Sequence, residues 1–451
     1  MACIHRSAAG DPIPSDWYPV TGEVTGSRRL YGPVRCGYIH RQMIVKPYLV
    51  TDSLIASFWT AEILLQIWGA RVAQFFSMRM PRVAAQPLAA VHPAVAVILP
   101  IKGVDSCTER NIAALCRQNY PNYRLIFSVE SADDPVVKLI EGIAADRSDG
   151  RVSLVVAGAA ADRGQKVHNQ LAAVAATTGE DTVLAFMDAD ACPAPDWLHA
   201  LVTPLTYGPH IGATTGYRFY VPAGPSRAND TLCVLNSLVG SLMGPYRRTM
   251  AWGGSMAIRR ADFFAYGVND LWQGALSDDY ALSYCVRKMA RTWVHFVPQC
   301  LVASAASFDW HSLNEFAVRQ YRITRVCAPL VWLAAVSGSM LFVFAFLSSL
   351  VISIEAVDFH RTDFWIPLGV FLAIYLLGCL RGYMLLRGGR RLLPGHEPEL
   401  TRARHFFIIG FPLMQMVNAF FILRSALGRR IVWRGIEYQM NGLGKTRILK
   451  R

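Results

Sequence analysis

Charge is what this sequence has least of. Only 17% of its 451 residues are Asp, Glu, Lys or Arg, against 53% hydrophobic residues, whereas soluble domains average about a quarter charged. Part of the chain is therefore expected to lie in lipid. Acidic residues are scarcer than basic ones, 32 against 45, and the formal charge of +13 fits an anionic partner: nucleic acid, an anionic membrane surface or a phosphorylated substrate. Zinc-finger spacing and an aromatic-plus-basic strand signature are both missing, which argues against nucleic acid. The ten cysteines never form a Cys-x-x-Cys pair. A disulfide scaffold and a structural zinc site are not indicated, and Cys233, Cys285 and Cys379, set in apolar stretches, read as buried thiols. Residues 1–50 lack an apolar core and so form no secretory signal; rich in Gly, Pro, Arg and Tyr, they read as a basic, unstructured extension.

Where charge vanishes altogether, membrane segments are expected. A helix needs about 20 apolar residues to cross a bilayer core. Val326 to Ile354 carries no charge, and Phe364 to Leu380 is a second uncharged run; together they predict a two-helix hairpin over 327–386. Arg319, Arg322 and Arg325 precede it, Arg381, Arg387, Arg390 and Arg391 follow the second run, and the link from Glu355 to Asp363 is short and acidic. Basic flanks put both outer ends in the cytoplasm. Within 405–424 a third apolar run contains Gly410 and Pro412. A helix broken there, dipping into the bilayer or lying along its surface, keeps the basic tail 425–451 cytoplasmic. The segment 51–80 carries Glu62, Gln66 and Arg71 and reads equally as a spanning or an interfacial helix.

Between these segments, over 90–310, short β-branched runs alternate with helical patterns. Strands are expected at Ala94–Leu99, Leu125–Val129, Val152–Val156 and Val183–Met187, with helices at Cys107–Gln118, Pro135–Ala145 and Gln165–Thr177. This alternation predicts an α/β fold with a mostly parallel, Rossmann-like sheet, whose ligands sit at the carboxyl ends of the strands. Lys102 follows the first strand, Glu130, Asp133 and Asp134 the second, and Asp188 and Asp190 the fourth.

Asp188-Ala189-Asp190 places two hard oxygen ligands at a sheet edge, suited to Mg²⁺ or Mn²⁺ shared with substrate phosphates; solvated turn aspartates are the plainer alternative. Asp134-Pro135 is an ordinary helix start, leaving Glu130 and Asp133 free to reach a ribose or base. Ser277-Asp278-Asp279-Tyr280 opens a helix, and its acids either complement the helix end or make Asp279 a general base. Arg319 and Arg322 suit a diphosphate clamp as well as a membrane boundary, and Lys166 at a helix start offers a further cation. Trp252-Gly253-Gly254-Ser255 lets backbone approach a ligand, or simply turns the chain.

In order along the chain, Pro100 to Asp105, Phe127-Ser128-Val129, Asp133-Asp134-Pro135, Lys166 to Asn169, Asp188-Ala189-Asp190, Gly254-Ser255-Met256, Asp278-Asp279-Tyr280, Arg319-x-x-Arg322 and Ile431 to Gly435 resemble the ceramide glucosyltransferase family, glycosyltransferase family 21. That family is inverting and of GT-A fold, and hopanoid-associated glycosyltransferases look similar. The resemblance implies a UDP-sugar donor, UDP-glucose first, and a lipid hydroxyl acceptor, ceramide first, with diacylglycerol or a hopanoid as alternatives. It implies that Asp134 helps hold the uridine nucleotide, that Asp188 and Asp190 hold the metal–diphosphate, that Asp279 is the base and that Arg319 and Arg322 form the clamp. Lys102, Glu130, Asp133 and Lys166 are expected beside the donor, and Gly254, Ser255, Asp278 and Trp433 on the acceptor or donor side. Ile323 stands where the family has Trp, and Trp433 is the candidate to replace it in space. The expected location is a bacterial inner membrane or its equivalent, and the sequence indicates no obligate protein partner. A nucleotide-sugar-binding scaffold is the non-enzymatic alternative; a transporter lacks the repeated spans it would need.

Overall fold

The computed structural model describes residues 37–85, 88, 90–105, 107–146, 150–244, 249–359 and 362–451. From Ile55 onward the chain forms one compact unit. Its centre is a seven-stranded sheet in the order β3-β2-β1-β4-β6-β5-β7, with β1 Val95–Pro100, β2 Tyr123–Val129, β3 Val152–Val156, β4 Val183–Met187, β5 Ile211–Pro222, β6 Ser255–Arg259 and β7 Trp293–Ala306. β1 and β4 are uninterrupted apolar runs buried along their whole length. That is how a strand covered on both faces must read. Alternate residues serve opposite layers: Val97, Leu99 and Phe127 pack with Trp197 on one face, and Ile98, Ile126 and Phe186 with Phe263 and Trp272 on the other.

β1, β2, β3 and β4 run parallel, connected through α2 Thr108–Cys116, α3 Val136–Asp146 and α4 Gln165–Ala175. The order reverses between β1 and β4, and the crevice at such a switch point is where an open α/β sheet binds its ligands. β6 then pairs antiparallel with both β4 and β5, and β7 runs parallel to β5. This is the mostly parallel sheet expected of a GT-A domain.

Among the described residues three helices are long and apolar enough to cross a membrane: Asp52–Ala84, Pro329–Asp358 and Trp365–Leu392. The first belongs to α1 Gly37–Met78 and its short continuation. Helix thus replaces the expected extension over 37–50; residues 1–36 of that extension lie outside the described residues. Glu62 and Gln66 are buried, with Gln66 donating to Glu62 at 2.6 Å and to Gln415 at 3.3 Å, whereas Arg71 is exposed. α5 Asp278–Tyr284, α6 Trp310–Cys327, α7 Pro329–Asp358 and α8 Trp365–Leu392 follow. α9, Phe411–Arg424, has 14 residues and carries Pro412 in its first turn. Pro412 therefore starts this helix instead of breaking it, since a first-turn residue has no intrahelical N–H bond to lose. At about 1.5 Å per residue, α9 is also shorter than the hydrocarbon core is thick.

The basic tail folds as well. β8 Arg430–Trp433, β9 Ile436–Gly442 and β10 Lys445–Lys450 form a three-stranded antiparallel sheet. It lies on the α/β domain: Gln165 N donates to Tyr438 Oη at 3.2 Å, and a Cβ built on Gly274 would meet the Gly444 carbonyl at 2.1 Å.

Candidate active site

The end of β4, the start of α4, the middle of β5 and the start of α5 converge beside the switch point. Asp188 leaves β4 as the chain turns, and its N–H donates to Gly254 O at 3.3 Å. Lys166, in the first turn of α4, reaches Asp188 Oδ1 at 2.7 Å and Asp278 Oδ2 at 2.9 Å and donates to Gly253 O at 3.3 Å. Burial alone would depress its ammonium, but the charges of Asp188 and Asp278 outweigh it and keep the lysine protonated. One helical turn on, Gln170 donates to Asp278 at 2.9 Å.

Arg218 projects from β5 and grips the two carboxylates. Its Nη2 lies 2.5 Å from Asp190 Oδ1 and 3.4 Å from Asp188 Oδ2, and Nη1 donates to Asp190 Oδ2 at 3.0 Å. The guanidinium also stands over Trp252, 5.2 Å from the ring centroid. Its Nε is buried without a partner. Burial would raise the Asp190 carboxyl, but Arg218 beside it, with Arg434 and Lys166 further away, holds it below the usual carboxylate range.

Asp279 is the other pole. Ser277 caps α5, its hydroxyl donating to Asp279 Oδ1; Tyr280 N donates to the same oxygen at 2.7 Å, and Gly253 N approaches Oδ2 at 3.4 Å. Burial, then the neighbouring Asp278 charge, pushes the Asp279 carboxyl up to about 6, against the pull of Ser277 and Lys166. A carboxylate poised near neutrality takes a proton better than an ordinary one.

The residues present fit a divalent cation. Asp188 and Asp190 supply hard oxygens, and among the described residues the ion pairs of this four-carboxylate cluster are with Lys166 and Arg218, so negative charge is in excess. Gly254 keeps the approach open: a Cβ there would stand 2.6 Å from Asp188 Oδ2 and 2.1 Å from Trp252 Cζ2. Among the described residues no group of three or more His, Cys, Asp or Glu gathers as a metal cage. Substrate phosphates would have to complete the shell, as is usual for Mg²⁺.

A family model, glycosyl transferase family 21, matches residues 58–446. The chain belongs to glycosyl transferase family 21. A search of curated proteins finds no match. Among solved structures, a mannosyltransferase from Pyrobaculum calidifontis in complex with GDP-Man and Mn²⁺ is 15% identical over 82% of this chain and 97% of its own, with a TM-score of 0.43. Glucosyl-3-phosphoglycerate synthase from Mycobacterium tuberculosis, in complex with Mn²⁺, UDP-glucose and phosphoglyceric acid, is 15% identical over 55% of this chain and 81% of its own, with a TM-score of 0.34. Both are distant.

Not every residue singled out in this family 21 sequence joins the cluster. Asp134 accepts from Gly103 N at 3.0 and 3.1 Å and from Val136 N at 3.0 Å; it pins the loop after β1, where Gly103 has φ +71°, to the start of α3. Lys102 pairs with Glu130 at 3.2 Å, and Arg451 from the chain's end pairs with Glu130 at 2.5 Å. Asp133 bonds within its own turn, with Ser131. Ser255 is fully buried in β6, its hydroxyl accepting from Trp197 Nε1 at 2.8 Å, so it packs the sheet. Arg322 is likewise turned elsewhere, donating to Arg430 O at 2.7 Å, and Arg319 reaches Val432 O at 3.5 Å. Ile323 and Trp433 share one apolar cluster with Tyr280, Leu276 and Ile436.

Arg218 was not foreseen, because nothing in Tyr217-Arg218-Phe219-Tyr220 marks a ligand residue; only the strand pairing brings it to Asp190. Gln170 had a signal available, since it stands at i+4 from Lys166 on a helix and shares its face.

Proposed function

We propose that this family 21 enzyme transfers a hexose from a UDP-sugar, UDP-glucose in the first instance, to the hydroxyl of a membrane lipid, ceramide in the first instance, in one inverting step that yields a β-glycolipid. The observation that carries the reading is the pairing of opposites at one crevice: a proton acceptor raised to about 6 at Asp279 and the Lys166–Asp188–Arg218–Asp190 charge cluster, joined through Lys166, Asp278 and Gly253.

Asp279 takes the proton from the acceptor O–H as that oxygen attacks the anomeric carbon. The bond from that carbon to the diphosphate oxygen breaks, and UDP leaves with the electron pair. Lys166 and Arg218 meet the charge that grows on it, with the free Arg218 Nε as a further donor. Asp188 and Asp190 would hold a divalent cation, whose chemistry there would be charge neutralisation. Attack opposite the leaving group inverts the carbon.

Support for a lipid acceptor comes from α6. Near its end Thr324 bonds Tyr280 Oη at 2.7 Å, next to Asp279. Nearer its start, α6 with α9 borders an open groove of about 630 Å³ lined by Trp310, Met416, Val417, Phe420 and Phe421 with His311, Asn314 and Arg424. Apolar walls with a few polar groups suit an amphiphile. The basic residues flanking α7 and α8 favour a cytoplasmic donor site.

The test is to reconstitute the full chain in vesicles with Mn²⁺ and UDP-glucose, supply ceramide, diacylglycerol or a hopanoid alcohol, and analyse the lipids by mass spectrometry and proton NMR. A β-linked hexosylceramide is the expected product. An α-linkage overturns the inverting step, and transfer to another lipid overturns ceramide. UDP binding without transfer from any UDP-sugar makes the chain a binding scaffold.

A further inference from the structure

The three arginines of α6 hold the tail in this structure. Arg325 donates to the carbonyls of Ala426 and Gly428, Arg322 to that of Arg430 and Arg319 to that of Val432. They run along the chain entering β8 and then along β8 itself, every other residue from Ala426 to Val432. The next element is the β8–β9 turn. Trp433 pairs with Ile436, leaving a two-residue turn of Arg434 and Gly435 with φ +51° and +83°. Two positive φ values make this a type I′ turn, whose first position favours Asn, Asp or Gly. An arginine there is held in a conformation that L side chains rarely adopt, and such an outlier is a pointer to function.

The base of the hairpin is fixed beside the catalytic helix, because Trp433, Ile431 and Ile436 pack with Tyr280 and Leu276. Arg434 itself is exposed. Trp433, the residue before it, and Tyr280, the residue after Asp279, pack against the same apolar cluster, so the turn presents its cation beside the start of α5.

We propose that Arg434, at the tip of the β8–β9 hairpin, is a further binding residue for the donor diphosphate, and that Arg319, Arg322 and Arg325 are positioning residues that clasp the hairpin in place. This rests on the nucleotide-diphosphate reading above. It moves the contact with phosphate from the α6 arginines to the turn they support.

The experiment measures binding of UDP and of uridine, each with Mn²⁺, to the full-length protein in nanodiscs. Arg434→Asn suits the left-handed turn and removes only the charge, so folding is retained; Arg434→Gly serves as a second variant on the same ground. A hydrogen bond to a charged group sets the scale: UDP affinity should fall about tenfold or more with uridine affinity unchanged, while Arg434→Lys stays close to wild type. Arg322→Met should weaken UDP too, yet Arg322→Met with Arg434→Asn should fall no further than Arg434→Asn alone. Wild-type UDP affinity in both Arg434 variants overturns the proposal. So does an equal loss of UDP and uridine, which would mean a collapsed hairpin, and so do multiplying effects in the double variant, which would put Arg322 itself on the phosphate. If the wild-type protein binds no UDP at all, the donor reading fails with it, a result separable from a wild type that binds and an Arg434 variant that binds equally.

Discussion

Replacing Asp279 by Asn should slow turnover by about two to four orders of magnitude and leave the fold intact or firmer. The substitution is nearly isosteric. Its amide oxygen can keep the place of Oδ1, accepting from Ser277 and from Tyr280 N at 2.7 Å; only the longer approach of Gly253 N to Oδ2, at 3.4 Å, is lost. General-base catalysis contributes about 10²- to 10⁴-fold, so kcat should fall by that factor while the KM for the donor stays close to wild type. The pH dependence carries the same signature. With the carboxyl raised from 3.8 to about 6, wild-type kcat/KM should climb tenfold per pH unit below about 6 and level above it, and the variant should lose that limb. Stability runs the other way. A carboxyl whose folded pKa is raised holds its proton more tightly folded than unfolded, so its contribution falls as pH rises from about 4 to about 6. At pH 7 the ionised, buried Asp279 costs up to about 3 kcal/mol by that shift, a cost the neutral amide of the variant does not carry. UDP release and thermal unfolding in detergent, each followed from pH 5 to 8, are the assays. A variant with wild-type kcat, or a wild-type profile flat through pH 6, would refute Asp279 as the base.

The charge cluster makes its own predictions. Arg218→Gln frees both carboxylates, so it should bind Mn²⁺ several-fold more tightly without nucleotide, measured by electron paramagnetic resonance, and yet turn over at least tenfold more slowly; unchanged Mn²⁺ affinity would remove Asp188 and Asp190 from the metal site. Chelation should stop transfer and added Mn²⁺ or Mg²⁺ restore it, read out as UDP release. Among the helices, Gly382 lies against Phe407, where a Cβ would stand 1.6 Å from the carbonyl oxygen. Gly382→Ala must push backbone apart and should cost about 1–3 kcal/mol, visible as a lower unfolding temperature in detergent.

How legible was all this in the sequence? β1 and β4 announce themselves because burial on both faces demands an unbroken apolar run, β2 and the edge strand β3 show as shorter apolar, β-branched stretches, and Val183–Met187 leads directly into Asp188. β5 and β7 do not, since a 12- and a 14-residue strand carrying Thr214, Thr215, Gly216 and Arg218 has neither apolar continuity nor clean alternation. Arg218 was hidden for that reason. α1 runs through Pro47, a residue that argues against helix on local grounds, so 37–50 read as extension. The tail sheet is short and densely charged, and Arg434-Gly435 is an unusual pair for a two-residue turn, so charge alone was visible there.

What charge could not say is which cation meets which anion. Arg319 and Arg322 sit at a spacing that suits a diphosphate, and also at the spacing that puts two guanidiniums on one side of α6, against a strand. A helix repeats every 3.6 residues and β carbonyls on one edge every two, so Arg319, Arg322 and Arg325 can follow alternate tail carbonyls, and they do. The same three residues therefore satisfy a binding motif in one dimension and a packing motif in three. The path of the tail, which brings Tyr438 to Gln165 and Arg451 to Glu130, satisfies the packing motif and sets the turn arginine beside the start of α5.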